Sequence, residues 1–345
     1  MFSGISCYKV AGAFLGALLL ASPAVAQQDY YKGKTLQFVV GYSPGGGFDI
    51  YTRAIARHIN KHIPGNPTVV VQNQPGAGGL IAANSLYRVS KPDGLTIGNF
   101  IGSLVIDQVL GAPSIEFDAR KFEWIGAPMQ ESSACALTKA SGITSLEKWK
   151  SSPTPVKLGA TAPGDPTYNI PRILKETLGL PVQVVGGYKG IQGILIAAEG
   201  NEVAGACWQW ESIKTTWRGA LNSGEVSIVV QINAQRHHEL ANVPNALDLA
   251  KDEAGRKLLQ AGVLDPATIT RLYAFPPGTP REYVMILRRA FLDTLKDPEF
   301  LAEAGKLNIE VKPMSGEALE KVIARQFELP AETISTLRAL RQAGR

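Results

Sequence analysis

Two glycine-rich turns near the start of the chain constrain its fold more than any other feature. They are Ser43-Pro44-Gly45-Gly46-Gly47 and Gln74-Pro75-Gly76-Ala77-Gly78-Gly79. Each stands where an apolar, β-branched run ends and a helical stripe begins. Residues 35–40 read as a buried strand, and Ile50, Ala54, Ile55, Ile59 and Ile63 then share one side of a helix over 49–63. Residues 68–71 read as a second strand, 80–89 as a second helix, and 95–98 as a third strand after the turn Lys91-Pro92-Asp93-Gly94. This βαβαβ order implies a parallel sheet. It recurs mid-chain, with strands at 156–160, 182–185 and 203–208 around helices at 168–178 and 191–199. A further strand is expected at 226–232, then a mainly helical region with its clearest helix over 281–295 and a strand at 308–311. The expected fold class is α/β, with two lobes that are each a mostly parallel sheet flanked by helices. No long linker separates them, so crossing strands should join them.

The first residues predict export. Lys9 precedes an uncharged apolar run at 10–20, and Ala24-Val25-Ala26 offers small residues for cleavage before Gln27. That run is shorter than the roughly 20 residues a membrane span needs. A cleaved signal peptide at 1–26 leaves 319 residues, more than one hydrophobic core usually serves. The expected division is lobe 1 from 27–130 and 233–345, and lobe 2 from 131–232. The formal charge of +5 includes Lys9 and is spread without a basic block, which argues against nucleic-acid binding. Cys7 would leave with the leader, and Cys135 and Cys207 remain. In an oxidising compartment an even pair suggests a disulfide, and two separate buried thiols are the alternative.

The chemistry starts at the glycine turns. Ligands of open parallel sheets bind at the carboxyl ends of strands. Glycines there let backbone approach a ligand, and the following helix offers free N–H groups and a positive dipole end. Two such turns on neighbouring strands would converge on one small anion. Asp49 either caps the first helix or reaches the ligand. Gly41-Tyr42-Ser43-Pro44-Gly45 also matches the GxSxG elbow of α/β-hydrolases, which makes an esterase using Ser43 a rival reading. Against it, Pro44 has no N–H for an oxyanion, and the four histidines His58, His62, His237 and His238 stand in no supporting context. The phosphate-loop pattern GxxxxGK[ST] is absent, as is GxGxxG at these turns. His58 and His62 have a metal-pair spacing without a companion glutamate, so neither a metal nor a cofactor is expected. In the second half, Gly164, Thr167 and Tyr168, and then Tyr188 and Lys189, occupy equivalent strand ends. Lys189 is either a ligand charge or an exposed loop lysine. Trp208, Trp210 and Trp217 are either packing or a flat ligand wall.

Several of these segments resemble the tripartite tricarboxylate transporter receptor family, also called Bug-type solute-binding proteins. They are Pro44 to Asp49, Asn73 to Gly79, Lys91-Pro92-Asp93-Gly94, Gly187-Tyr188-Lys189-Gly190, Glu202-Val203-Ala204-Gly205, Pro276-Pro277-Gly278-Thr279-Pro280 and Lys296-Asp297-Pro298. The resemblance implies a periplasmic, two-lobed, type II Venus-flytrap receptor that delivers an organic carboxylate to membrane permease subunits. It implies a monomer without catalysis that closes on its ligand. A sensor feeding a kinase would use the same fold. The family's ligand contacts carry over to Gly45, Gly46, Gly47, Asp49, Gly76, Ala77 and Gly78, with Ser43, Pro44, Pro75, Ser103, Gly164, Thr167, Tyr168, Tyr188, Lys189 and Trp208 completing the expected site. Three places depart from the family pattern: a single serine in Gly102-Ser103-Leu104, the loop from Pro163 to Tyr168 with its Asp165, and Cys207-Trp208-Gln209-Trp210. These departures leave open an aromatic or amide-bearing ligand.

Overall fold

A computed structural model describes residues 30–161, 164–188 and 190–342, together with Met1. The expected leader and its cleavage site fall on 2–29, and Lys189 stands alone in a gap; all lie outside the described residues.

Alternation of apolar and polar residues sets the first sheet. In β1 (Thr35–Val40), Leu36, Phe38 and Val40 are fully buried. The strand runs parallel to β2 (Thr68–Asn73) and β3 (Thr96–Ile101), with Phe38 opposite Val71 and Ile97. Helix α1 (Gly47–Ile59) lays Tyr51, Ala54, Ile55 and Ile59 on this sheet, and α2 (Leu80–Arg88) lays down Ala82, Ala83 and Leu86. Helix α3 (Ser103–Val109) follows β3. The sheet continues with β4 (Glu123–Ala127), β10 (Arg271–Phe275) and β11 (Met314–Ser315), in the order β11-β4-β10-β3-β1-β2. Strand β10, which returns from the second sheet, lies antiparallel to both β3 and β4, so β4 runs in the direction of β1–β3, and β11 pairs antiparallel on β4.

The second sheet has the order β7-β6-β8-β5-β9. Its strands are β5 (Ser133–Thr138), β6 (Val156–Gly159), β7 (Val182–Val185), β8 (Gly205–Gln209) and β9 (Val226–Ile232). Here β6 is parallel to β7 and β8, while β5 runs antiparallel to β8 and β9. Helix α4 (Leu146–Lys150) joins β5 to β6, α5 (Pro166–Leu178) follows β6, and α6 (Ile191–Glu199) follows β7. Helices α7 (Trp210–Thr216) and α8 (Arg218–Ser223) lead into β9.

The chain passes between the sheets after β4 and again between β9 and β10. Residues after β9 serve both cores. Strands β10 and β11 join the first sheet, whereas Leu258, Leu259, Val263, Leu264 and Leu337 pack with Cys135, Leu158 and Ile173 of the second. The strand expected at 308–311 is not formed; that stretch is irregular, and β11 begins three residues later. Asn308 stands at φ 53° and ends the preceding helix, so extended pairing cannot start there.

Cys135 and Cys207 sit opposite each other on β5 and β8 and are bonded, closing a loop of 72 residues in sequence. Closing such a loop removes freedom from the unfolded chain. Replacing both cysteines by alanine should cost about 2–4 kcal/mol of stability. Guanidinium unfolding with and without reductant checks this: the wild type should weaken on reduction and the variant should not respond.

Candidate functional site between the lobes

The first glycine turn is held open by an internal brace. Gly46 caps α1 with extended backbone and no side chain, leaving the first N–H groups of that helix facing the loop. Asp49, in the first turn of α1, folds back. Its carboxylate accepts from the Gly45 N–H (2.8 Å), Asn73 Nδ2 (2.8 Å) and Arg53 Nε (2.9 Å). Asn73 Nδ2 also donates to the Tyr42 carbonyl, and its Oδ1 accepts from Arg53 Nη2, both at 2.9 Å. Burial alone would raise the Asp49 pKa, but the bonds from Arg53, Gly45 and Asn73 outweigh it and hold the carboxyl below its usual range. Asp49 therefore has its charge satisfied inside the loop.

The second turn lies alongside. Gly76, Ala77, Gly78 and Gly79 all have positive φ. The Tyr42 hydroxyl donates to the Gly78 carbonyl at 2.9 Å. A Cβ on Gly41 would stand 2.9 Å from Gly79 Cα, so glycine is required for this approach. Ser43, Pro44, Gly45, Gly46, Gly47, Pro75, Ala77 and Gly78 are exposed at the resulting edge, and Gly76 is half-buried.

Ser103 of the first lobe and Gly164 of the second meet in a cavity of about 60 Å³, with Ser133, Asn169, Gln209 and Thr270, and no residue of the two turns lines it. Four expected residues have internal partners instead. Thr167 donates to Asp165 Oδ1 at 2.5 Å and accepts from the Thr161 N–H at 3.1 Å. Tyr168 is buried, its hydroxyl accepting from Arg172 Nη1 at 3.1 Å. The Tyr188 hydroxyl donates to Glu202 at 2.6 Å. Trp208 is buried against Trp217, with ring centroids 5.8 Å apart, and its Nε1 has no partner among the described residues. Asp165 caps α5 by accepting from the Thr167 N–H at 2.9 Å.

Sequence reasoning missed the charged groups beside the first turn. Arg271 of β10 lies 4.8 Å from the Tyr51 ring centre and 5.2 Å from that of Phe48, and its Nη1 pairs with Glu131. No motif surrounds Arg271, and more than 220 residues separate it from the turn, so only the fold brings them together. Farther out, an opening of about 690 Å³ has Trp210, Glu211, Lys214 and Glu239 on one side and Asn308, Ile309 and Glu310 on the other. Lys214 bridges Glu211 and Glu239 at 2.8 and 2.7 Å, and Tyr51 donates to the Glu310 carbonyl at 2.8 Å.

The hydrolase alternative finds no geometry here. His58 and His62 bond to Glu303 and Asp297 at 2.7 and 2.9 Å, while His237 and His238 stack on each other in the second lobe. None of them bonds to Ser43 among the described residues.

The sequence pattern of the tripartite tricarboxylate transporter family receptor, TctC, matches residues 52–338. The chain belongs to this family. A UPF0065 protein from the gbd 5′ region of Cupriavidus necator is 23% identical over 337 residues, covering 96% of this chain and 94% of the relative. Among solved structures, a TctC solute-binding protein from Polaromonas superposes with a TM-score of 0.69 at 18% identity, covering 91% of this chain and 99% of its own. MatC from Rhodopseudomonas palustris, solved with bound malate, gives 0.60 at 20% identity, covering 89% and 99%. TctC proteins are solute-binding receptors and not enzymes, and this chain shares their two-lobed α/β fold. No helix of the described residues is long and apolar enough to cross a membrane.

Burial, and then the neighbouring Glu310 carboxyl, raise the Glu211 pKa, with Lys214 opposing them. A raised carboxyl is fully favourable only below its ordinary value near 4.5, and that contribution is lost as pH rises through the raised value. Glu310→Gln should therefore raise the unfolding midpoint at pH 8 and leave it nearly unchanged at pH 3.5. Calorimetry at the two pH values checks this, and an unchanged midpoint at pH 8 would contradict it.

Proposed function

We propose that this TctC receptor captures a small organic carboxylate in the periplasm, between its lobes, and hands it to the permease subunits of a tripartite tricarboxylate-type transporter. The observation that carries the reading is the pair of braced glycine turns. They present exposed backbone at the carboxyl ends of adjacent parallel strands, with the uncapped start of α1 behind them. Free N–H groups at such a place bind carboxylate oxygens. The malate bound in MatC is a carboxylate held on the same fold. The leader expected at 1–26 supports the location.

The ligand's anionic end sits at 43–47 and 75–78. Ser103 and Gly164, with the neutral side chains of Ser133, Asn169 and Gln209, select its other end. Neutral donors and acceptors suit hydroxyl, carbonyl or amide groups better than a second bare charge.

Gly46 offers a clean test. Its φ is −80°, which any residue adopts, and a Cβ there would come no nearer than 3.5 Å to the Ser43 carbonyl oxygen. Gly46→Val should fold normally yet fill the anion seat. A thermal-shift screen of mono-, di- and tricarboxylates, aromatic acids included, should find acids that stabilise the wild type. The same acids should leave Gly46→Val unmoved. Equal stabilisation of both proteins would place the ligand elsewhere. Ester hydrolysis that vanishes in Ser43→Ala would overturn the receptor reading.

A further inference from the structure

We infer that Arg271 is the charge that makes this cleft select a carboxylate, taking the ligand's anionic end on the guanidinium edge formed by Nε and Nη2. The inference rests on the receptor reading above and adds to it a residue from outside the glycine turns.

The guanidinium is positioned but only half used. Nη1 pairs with Glu131 and lies 3.2 Å from Met129 Sδ. Nε is buried and has no partner among the described residues. An Arg–carboxylate pair built for structure alone is commonly bidentate, and a buried charged donor left unmade is costly. Here Glu131 sits at one end and the Nε on the side edge is unpaired among the described residues. The side chain keeps 14% of its surface exposed, while Nε itself is buried, so a ligand reaches that edge from the exposed part of the guanidinium.

The surroundings fix where that edge lies. The Phe48 and Tyr51 rings are within cation–π range of the guanidinium, and Phe48 in turn stacks on Tyr42 with centroids 4.0 Å apart. Nη2 lies 3.0 Å from where a Cβ on Gly47 would stand. Glycine at 47 thus gives the cation room beside the first turn of α1. That is the positive end of a helix, where a second positive charge is unfavourable without an anion. Glu131 supplies one negative charge at the far end of the guanidinium. A ligand carboxylate between Nη2 and the α1 N–H groups would satisfy the open edge and the helix end together.

The argument separates Arg271 from the other cations of the cleft. Lys214 already bridges Glu211 and Glu239, and Arg53 is bonded to Asp49 and Asn73. Arg271 is the cation next to the glycine turn whose buried donor is unmet among the described residues.

The test uses the full chain and a fixed panel of acetate, succinate, malate, adipate and benzoate. Calorimetric titration gives affinities for wild type, Arg271→Lys, Arg271→Gln and Glu131→Gln, after thermal unfolding has shown which variants fold. Arg271→Gln should weaken binding of the panel's best acid about tenfold or more, as loss of a charge-assisted bond does. Arg271→Lys should recover part of the loss, and Glu131→Gln should bind at least as tightly as wild type. In wild type, the Arg271 Nε–H resonance should shift on saturation with that acid, a readout that needs no variant to fold. Unchanged affinity in Arg271→Gln, or an unmoved Nε–H resonance with the acid bound, would overturn the assignment while leaving the receptor reading intact. A wild type that binds none of the five acids would overturn both.

Discussion

The fold-back of Asp49 onto Gly45, Asn73 and Arg53 is the constraint from which the rest of the cleft follows. It ties the first glycine turn to α1 and, through Asn73, to the end of β2. A turn of three consecutive glycines has large backbone freedom, and ordering it carries a large entropy cost. A buried carboxylate with three donors supplies a rigid centre that leaves the backbone outside it exposed. The Tyr42–Gly78 bond then sets the second turn against the first. With both edges fixed, the start of α1 faces the cleft from a defined position.

The lobes add selection to that seat. The first lobe contributes backbone, helix N–H groups and Arg271, all suited to a negative charge. The second contributes Gly164, Asn169 and Gln209, which are neutral. Its aromatic residues are largely committed to the interior: Trp208 packs on Trp217, and Trp210 Nε1 bonds to Glu239. On the proposed reading, polar contacts between the lobes would select ligand shape and the first lobe its charge. The carboxyl pair of Glu211 and Glu310 lies across the same gap, where burial and then the Glu310 carboxyl raise the Glu211 pKa.

Much of this was legible in the sequence where local pattern and tertiary role agree. The strands of both βαβαβ units alternate or run apolar, and the turns after β1 and β2 carry glycines that only positive φ or close approach requires. The strands β4 and β5 were not legible. Ser133-Ala134-Cys135-Ala136-Leu137-Thr138 is buried along its whole length, so it shows no alternation, and its small residues carry weak strand preference. Arg271-Leu272-Tyr273-Ala274-Phe275 hid for a different reason. It pairs between β3 and β4 from far along the chain, inside a stretch expected to be mainly helical. Asp49 was readable as a cap or a ligand, and the donors around it, Asn73 above all, decide for the loop. Thr167 and Tyr168 stood at the right strand end, but burial and local bonds turn them inward.

The most direct measurement of the central claim is a crystal structure of the wild-type chain grown with the acid that most raises its unfolding temperature. The account predicts a closed cleft with one carboxylate of that acid within hydrogen-bond distance of backbone N–H groups at the start of α1, in 47–48, and in 76–78. A ligand bound away from both turns, or a carboxylate held only by side chains of the second lobe, would contradict it.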